Sequence, residues 1–213
     1  MMRSSEAEYD FVSCSLEKGV KITDKEGVPP KTILEVFEAS VSNHSQRPAL
    51  TYQLECGTWK TLNYSQYFET TQRVARAFIK LGLGPRKSVC VLSVNCPEWM
   101  FAEFGAFYSN AVICGIYPTS SADACVYVLQ KSQCNICIVD NTEQLQKINS
   151  IKDQVPSIKA IIQIHEPFGD LINENDDYFT WTEIMSMDAR VYENQLIKRV
   201  KDSLPEQLVI LKG

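Results

Sequence analysis

A C-x-x-C pair, Cys134 and Cys137, is the first arrangement in this sequence that could do chemistry. A redox pair of this form opens a helix, where the helix dipole lowers the thiol pKa. Here the pair instead enters an apolar run, NICIVD at 135–140, that predicts a strand. Side chains three apart in a strand point to opposite faces. We therefore expect two separate, reduced core thiols that share neither a metal nor a disulfide.

A glycine pair in GLGPRK, residues 82–87, begins like the phosphate-binding loop of a dinucleotide site. The third glycine of that loop is absent. The predicted order is also reversed, because a helix precedes the loop and a strand follows it. We exclude a dinucleotide site here.

The two histidines give no catalytic arrangement. His44 ends a predicted helix, where it favours the helix dipole. His165 lies in an acidic loop, with no serine or cysteine motif nearby that would act as a nucleophile. No paired carboxylates stand out. We assign no catalytic, cofactor-binding, substrate-binding or metal-binding residue in this chain.

The most promising position for a ligand is the end of the apolar run AVICGIY at 111–117, where Tyr117-Pro118-Thr119-Ser120-Ser121 follows. Ligands of open α/β sheets lie beyond the carboxyl ends of the strands. Hydroxyl groups beside a helix start could bind an anion. The alternative is that they only cap the following helix, which is the commoner role of such residues.

The elements that would position these residues alternate regularly from Ser88 onward. Apolar runs of strand length occur at 88–94, 111–117, 135–140 and 159–164, and helical patterns occupy 97–110, 120–133 and 141–155 between them. Alternating strands and helices predict a parallel sheet with helices on its faces. Solid apolar runs are typical of strands buried on both sides. The fold class is therefore α/β.

The first half carries three further elements. Thr32 and Glu35 form a capping box for a first helix, whose apolar face we assign to Ile33, Val36, Phe37 and Val41. Two short runs, 49–53 and 58–63, predict a hairpin. A long helix follows, capped by Asn63 with Gln66 and ended by Gly82 at the C′ position.

The ends of the chain carry weaker signals. Residues 1–30 predict a mostly irregular extension, without a secretory or transit signal. After Ile164 we expect an acidic loop and short helices over 180–187 and 191–204.

Charge and hydropathy exclude two classes of function. The net charge of −5 argues against nucleic-acid binding. The basic clusters Arg73/Arg76/Lys80 and Lys198/Arg199/Lys201 have helical spacing, so we interpret them as solvated helix faces. The apolar stretch 100–117 is interrupted by Glu103 and a turn, whereas a membrane span needs about 20 consecutive apolar residues. We predict a buried helix, turn and strand there.

Three stretches together resemble a known family: NYSQYFETTQRVARAFIKLGL, SVCVLSVNCPEW and GAFYSNAVICGIYPTSSADACVYVLQKSQCNICIVD. They are similar to the N-terminal part of the adenylate-forming acyl-CoA synthetases, and within them to the bubblegum type of long- and very-long-chain fatty acid–CoA ligase. The N-x-P-E-W stretch followed by G-I-Y-x-T-S-S is the specific part. The resemblance runs over 31–207, and 208–213 is a divergent tail.

The resemblance implies a fatty acid, ATP, Mg and coenzyme A as substrates and cofactors of the full enzyme. It also implies a Ser/Thr/Gly-rich phosphate loop ending in Pro-Lys-Gly, expected just after Gln207, where the sequence instead reads LVILKG. We therefore expect an incomplete N-terminal part of the fold that is inactive alone. The alternative is a non-catalytic interaction or lipid-associated α/β module.

Two physical expectations follow from an incomplete sheet. We expect an open edge and an uncovered apolar face, which would make the chain marginally stable or prone to aggregation. We expect a cytoplasmic protein without a transmembrane segment, with peripheral contact to the endoplasmic reticulum or another membrane left open.

Overall fold

The computed structural model describes residues 29–54, 56–165, 177–205, 207 and 209–212. The predicted extension over 1–30 therefore lies almost wholly outside the described residues. In chain order the elements are α1 Ile33–His44, β1 Pro48–Gln53, β2 Trp59–Asn63, α2 Tyr64–Lys80, β3 Ser88–Leu92, α3 Pro97–Tyr108, β4 Val112–Gly115, α4 Ala122–Lys131, β5 Cys134–Val139, α5 Thr142–Asn149, β6 Ala160–Gln163, β7 Tyr178–Thr180, α6 Trp181–Ser186, α7 Glu193–Lys201 and β8 Ile210–Lys212.

Six of the strands form one parallel sheet in the order β7-β6-β5-β3-β4-β8. Strands β1 and β2 form the predicted antiparallel hairpin, separate from that sheet. The chain passes from β3 to β4 on one side and then crosses back to β5 on the other. The winding direction therefore reverses at the adjacent strands β3 and β5, whose connections run to opposite sides, and this order confirms the α/β class.

Helices cover both faces of the sheet. Val91 and Ile138 belong to the core under α2, α3, α6 and α7, whereas Cys90 and Ile161 belong to the core under α4 and α5. All four of these strand residues are fully buried. The expectation of an uncovered apolar face is therefore wrong for the described residues. Among the described residues, β7 and β8 are the outer strands, and each is paired along one side only.

Side-chain caps set the helix starts as predicted. Thr32 and Glu35 form a reciprocal capping box at α1, and Asn63 and Gln66 form one at α2. Gly82 has φ +88°, and the amide of Leu83 donates to the carbonyl of Phe78 at 2.9 Å, as in a Schellman motif.

The apolar face of α1 differs from the prediction. Leu34 and Phe37 are buried, whereas Ile33 and Val36 are 39% and 54% exposed. Val41 packs against the core as predicted. The prediction of Ile33 and Val36 was wrong because the helix is rotated so that Leu34 meets the core.

Helices α2 and α3 approach each other closely at Gly105. A Cβ atom there would lie 2.7 Å from Cγ1 of Val74, which is closer than real Cβ contacts. The hydroxyl of Ser109 also donates to the carbonyl of Ala75 at 3.3 Å. This close contact fixes α3 against α2, and with it the side chains at the start of α3.

The basic clusters are not simply solvated. Arg199 lies on the buried side of α7 and donates to the carbonyl of Ser109 at 3.2 Å, so its assignment to a solvated face was wrong. Arg76 forms an ion pair with Glu193 at 2.8 Å, and Lys80 donates to the carbonyl of Asp188. These cations join α2 to the segment around α6 and α7.

The apolar stretch 100–117 forms a buried helix, a turn and a strand, as predicted. Within the described part of the chain, no helix combines the length and the apolar character that crossing a bilayer requires.

Candidate functional site

A cleft opens beyond the carboxyl ends of β3 and β4, beside the point where the winding direction of the sheet reverses. We call it the switch-point cleft. One lobe has a volume of about 660 Å³ and lies over the end of β4; the other has about 840 Å³ and extends toward β1. The two lobes share the side chains of Val94, Asn95, Trp99 and Glu103. This position is the one at which open α/β sheets bind ligands.

Gly115 and Trp99 together shape the floor of the cleft. A Cβ atom on Gly115 would lie 3.2 Å from Cζ2 of Trp99, so the indole ring covers the end of β4 where a side chain is missing. Pro97 occupies the first turn of α3, where a missing amide hydrogen costs nothing. The first turn of α3 therefore places the indole ring of Trp99 at the cleft.

Glu103 is the acidic residue among those that line the cleft, and it lines both lobes. Burial raises the pKa of this carboxyl, because the apolar surroundings disfavour its charged form. No hydrogen bond or ion pair among the described residues reaches it. An ionisable group with a perturbed pKa in a cleft is a candidate for ligand contact.

The rim of the cleft is apolar and exposed. Tyr117 is 71% exposed and Val94 58%, and Leu54 and Ile210 add further apolar surface. Clustered exposed apolar side chains mark surfaces that bind something.

A polar cluster lies at the neighbouring strand ends. The hydroxyl of Ser93 donates to Oδ1 of Asp140 at 3.1 Å, and Nε2 of His165 lies 3.7 Å from the same oxygen. In a nucleophilic triad the histidine must accept the serine proton. Here the serine donates to the carboxylate, so the cluster is not a hydrolytic triad. His165 lines the larger lobe instead.

The segment Tyr117–Ser121 lies where the sequence placed it, at the end of β4. Ser121 caps α4, because its hydroxyl accepts from the amide of Ala124 at 3.3 Å. Ser121 is therefore a helix cap, as the alternative interpretation predicted. The residues of this segment that line the cleft are Tyr117 and Pro118, which precede the hydroxyl residues.

The remaining sequence candidates lie away from the cleft. The GLGPRK turn connects α2 to the amino end of β3, whereas the cleft lies beyond the carboxyl ends of the strands. His44 is the last residue of α1, and its carbonyl accepts from the amide of Arg47. Neither turn nor histidine lines the switch-point cleft.

The C-x-x-C pair is buried, as expected, but both thiols lie on one face of the sheet. Ser88 is opposite Cys134 while Val89 is opposite Ile136, so β5 has one extra residue, Asn135, at this point. This bulge turns Cys134 toward the core that also contains Cys137. The prediction of opposite faces was wrong because it assumed a regular strand. Even so, the described residues contain no group of three or more His, Cys, Asp or Glu side chains that could hold a metal.

Sequence reasoning missed the three residues that define the cleft, Trp99, Glu103 and Gly115. Their signal was present as Pro97 at a helix start and a glycine ending a buried strand. The crossover from β3 to β4 brings these three residues together in space, and no local sequence pattern predicts that placement.

An α/β sheet with a cleft beyond the carboxyl ends of its strands is common to many protein families, and sequence comparison identifies this one. Residues 37–207 match the family model described as "AMP-binding enzyme". The chain belongs to the AMP-binding enzyme family.

Within that family the chain is similar to long-chain-fatty-acid–CoA ligases. It is 37% identical to the ligase heimdall of Drosophila melanogaster over 82% of this chain and 27% of that protein. It is 35% identical to the long-chain-fatty-acid–CoA ligase ACSBG2 of Xenopus laevis, over 89% of this chain and 25% of that protein. The chain thus spans about a quarter of the length of these relatives.

A solved structure agrees with the fold. The anthranilate CoA ligase AuaEII, in complex with anthranoyl-AMP, aligns over 75% of this chain and 29% of its own with a TM-score of 0.63 and 21% identity. At that identity the likeness concerns the fold alone. It supports the N-terminal adenylate-forming fold expected from the resemblance.

Proposed function

We propose that this chain is the N-terminal portion of a long-chain fatty acid–CoA ligase. The whole enzyme would join a fatty acid to AMP from ATP, and then transfer the acyl group to coenzyme A. The observation that carries this proposal is the 37% identity to a long-chain-fatty-acid–CoA ligase over 183 residues. The match to the AMP-binding enzyme family over 37–207 agrees with it.

The residues of this chain do not fit ATP and Mg by themselves. No Ser/Thr/Gly-rich stretch ending in Pro-Lys-Gly occurs in the 213 residues. The described residues also lack a cluster of carboxylates or other ligands for a metal ion. Adenylate formation needs fixed positive charge or a metal at the phosphates. We therefore propose that these 213 residues alone do not catalyse ligation.

A chimera tests the ligase proposal. Residues 37–207 of this chain would replace the matching residues of the Drosophila ligase heimdall, and palmitoyl-CoA formation would be measured from palmitate, ATP, Mg and coenzyme A. We expect activity within about tenfold of the parent enzyme, since core differences that conserve volume are tolerated. A soluble, folded chimera without activity would contradict the proposal.

The inactivity of the isolated chain has its own test. The purified 213-residue protein would be incubated with the same substrates, with the parent ligase as a positive control. We expect no palmitoyl-CoA by mass spectrometry. Palmitoyl-CoA formed above the level of a heat-treated sample would overturn this part of the proposal.

The exposed apolar rim favours a second function, a non-catalytic lipid-associated module. Val94 and Tyr117 present apolar surface to water at the cleft, which would suit a cytoplasmic protein in peripheral contact with a membrane. Flotation with vesicles of phosphatidylcholine and phosphatidylserine tests this function. Recovery of the protein with the vesicles, lost in Tyr117→Ser, would support it, and a protein that stays in the bottom fraction would exclude it.

A further inference from the structure

A pocket lined by arginines lies between α2 and the segment that joins α6 to α7. Arg73 and Arg76 contribute from α2, and residues 185–190 form the other side. Its volume of about 420 Å³ falls within the range of about 300 to 1,000 Å³ that small-molecule sites occupy. We call it the arginine pocket. It shares no lining residue with the switch-point cleft, so it is a separate site.

Arg73 is the cation of this pocket that the fold leaves without a carboxylate. Its Nη1 atom donates to the carbonyl of Met185 at 3.4 Å, and no ion pair among the described residues includes it. A guanidinium has five N–H donors in a planar fork. Because Arg73 is exposed, most of these donors remain available to water or to a ligand. This group can bind an anion without breaking an ion pair of the protein.

The other cations around the pocket already have partners, which hold them in place. Nε and Nη2 of Arg190 donate to Oδ1 and Oδ2 of Asp188 at 3.1 and 3.0 Å, and Arg76 pairs with Glu193 at 2.8 Å. Nζ of Lys80 donates to the carbonyl of Asp188 at 3.1 Å. With the unpaired guanidinium, four cations are balanced by two carboxylates, which leaves a local charge of +2 on a chain of net charge −5. This face is therefore positive although the chain as a whole is acidic.

A phosphate group is the anion that suits this arrangement. Guanidinium groups bind phosphate through two parallel N–H bonds, which is why arginine is common at phosphate sites. Val191 follows Arg190 and is 84% exposed, so an apolar side chain lies at the surface beside the cations. Basic residues with adjacent apolar side chains are typical of surfaces that bind anionic membranes. An anionic lipid therefore fits this face better than a soluble phosphate, which would gain nothing from Val191.

We propose that the arginine pocket binds the phosphate group of an anionic phospholipid headgroup, with Arg73 as the principal donor. Val191 would enter the boundary between the headgroups and the acyl chains. The contact would hold the side of the protein formed by α2, α6 and α7 against a membrane. It involves neither the ligase reaction nor the apolar rim of the switch-point cleft, and so goes beyond the proposed function.

Flotation of the 213-residue protein with vesicles tests the proposal. The vesicles contain phosphatidylcholine with phosphatidylserine, and vesicles of phosphatidylcholine alone are the neutral comparison. We expect Arg73→Gln to lower the partition coefficient onto anionic vesicles about fivefold, the usual contribution of one basic side chain near such a surface. Val191→Ser should also weaken binding. Raising NaCl from about 0.1 M to about 1 M should release the protein, because the Debye length falls from about 10 Å to about 3 Å.

Lys131→Gln is the matched control, because it also removes one positive charge but lies in the last turn of α4, on the other face of the sheet. It should leave the partition coefficient nearly unchanged. Thermal melting followed by circular dichroism verifies that each variant is folded. Calorimetry with inorganic phosphate, on the wild type and on Arg73→Gln, separates a soluble ligand from a lipid headgroup.

Four results would overturn the inference. The first is a protein that stays in the bottom fraction with anionic vesicles, and the second is an equal loss in Arg73→Gln and Lys131→Gln. The third is inorganic phosphate binding that Arg73→Gln weakens, without flotation, which would identify a site for a soluble phosphate. The fourth is flotation that Tyr117→Ser abolishes and Arg73→Gln leaves unchanged, which would place the membrane contact at the cleft rim. The ligase proposal is unaffected by all four, since the chimera assay tests it separately.

Discussion

Cys90 lies directly opposite Cys114 across the parallel β3–β4 pair, and both side chains are fully buried. On the other side of Cys90 the register places Cys137, and the bulge in β5 brings Cys134 to the same core. Sγ of Cys90 also lies 3.2 Å from the hydroxyl of Ser132. One face of the central sheet is thus lined by free thiols, and the thiol of Cys90 lies within hydrogen-bonding distance of the Ser88 and Ser132 hydroxyls.

The thiols should therefore differ sharply in reactivity. In the native protein we expect an alkylating reagent to modify exposed Cys56 rapidly and half-buried Cys96 more slowly, since burial raises the pKa of the Cys96 thiol. The buried cysteines should react only after unfolding: Cys90, Cys114, Cys125, Cys134 and Cys137. Peptide mass spectrometry after timed labelling measures each rate. If Cys90 were labelled as fast as Cys56, this face of the sheet would be accessible to solvent, contrary to the prediction.

Gly105→Ala should destabilise the protein despite the better helix propensity of alanine. The added Cβ would lie 2.7 Å from Cγ1 of Val74. At so close an approach, overpacking should cost about 2 to 3 kcal/mol, the upper part of its usual range, and the gain in propensity of about 1 kcal/mol offsets only part of that. We expect a net loss of about 1 to 2 kcal/mol in urea unfolding.

A double variant checks the cause of that loss. Val74→Ala removes the clashing methyl groups, so Gly105→Ala should cost less in its presence than in the wild type. Equal cost in both backgrounds would mean that the contact between α2 and α3 does not limit the substitution.

Glu103→Gln should stabilise the protein near neutral pH, by less than about 1 kcal/mol because the carboxyl is partly hydrated. Burial raises the pKa of Glu103 in the folded state above its unfolded value. The ionised form therefore costs stability above that pKa, and the cost disappears as the pH falls through it. The difference in melting temperature between variant and wild type should be largest at pH 7 and shrink toward pH 4.

Glu69→Gln is the control for that comparison, because Glu69 lies on the exposed side of α2. Its melting temperature should follow the wild type throughout. A Glu103→Gln protein that is less stable than the wild type at pH 7 would mean that the carboxylate makes a favourable contact.

Arg199→Ala should cost about 2 kcal/mol, whereas Lys198→Ala should change stability by less than about 0.5 kcal/mol. Arg199 is buried and donates to the carbonyl of Ser109, which would lose its charged donor. Lys198 is exposed on the same helix. Chemical unfolding of both variants measures the difference, and equal effects would contradict the anchoring role of Arg199.

Much of the fold followed from local patterns in the sequence. The apolar runs at 88–94 and 135–140 became β3 and β5, and the Asn63 and Thr32 caps start their helices. Such signals are readable because they depend on neighbours within a few residues. The family resemblance followed in the same way, from short motifs.

The errors share a different cause. β7 and β8 have only three residues each and are held by pairing with strands far away in sequence. The bulge at Asn135 and the burial of Arg199 likewise depend on partners in other elements. The switch-point cleft was missed for this reason, since its walls come from α3, β4 and β8. From the sequence, we could predict only that a ligand would lie beyond the carboxyl ends of the strands.

The pairing of β8 with β4 has a consequence for synthesis. Ile113 pairs with Ile210, so nearly a hundred residues must be translated after β4 before its outer edge finds its partner. At about 5 to 20 residues per second, a ribosome takes about 5 to 20 s over that length. During that interval the nascent chain presents the backbone groups of an apolar strand to its surroundings. A chaperone that shields this edge would act in the window between the emergence of Gly115 and that of Lys212.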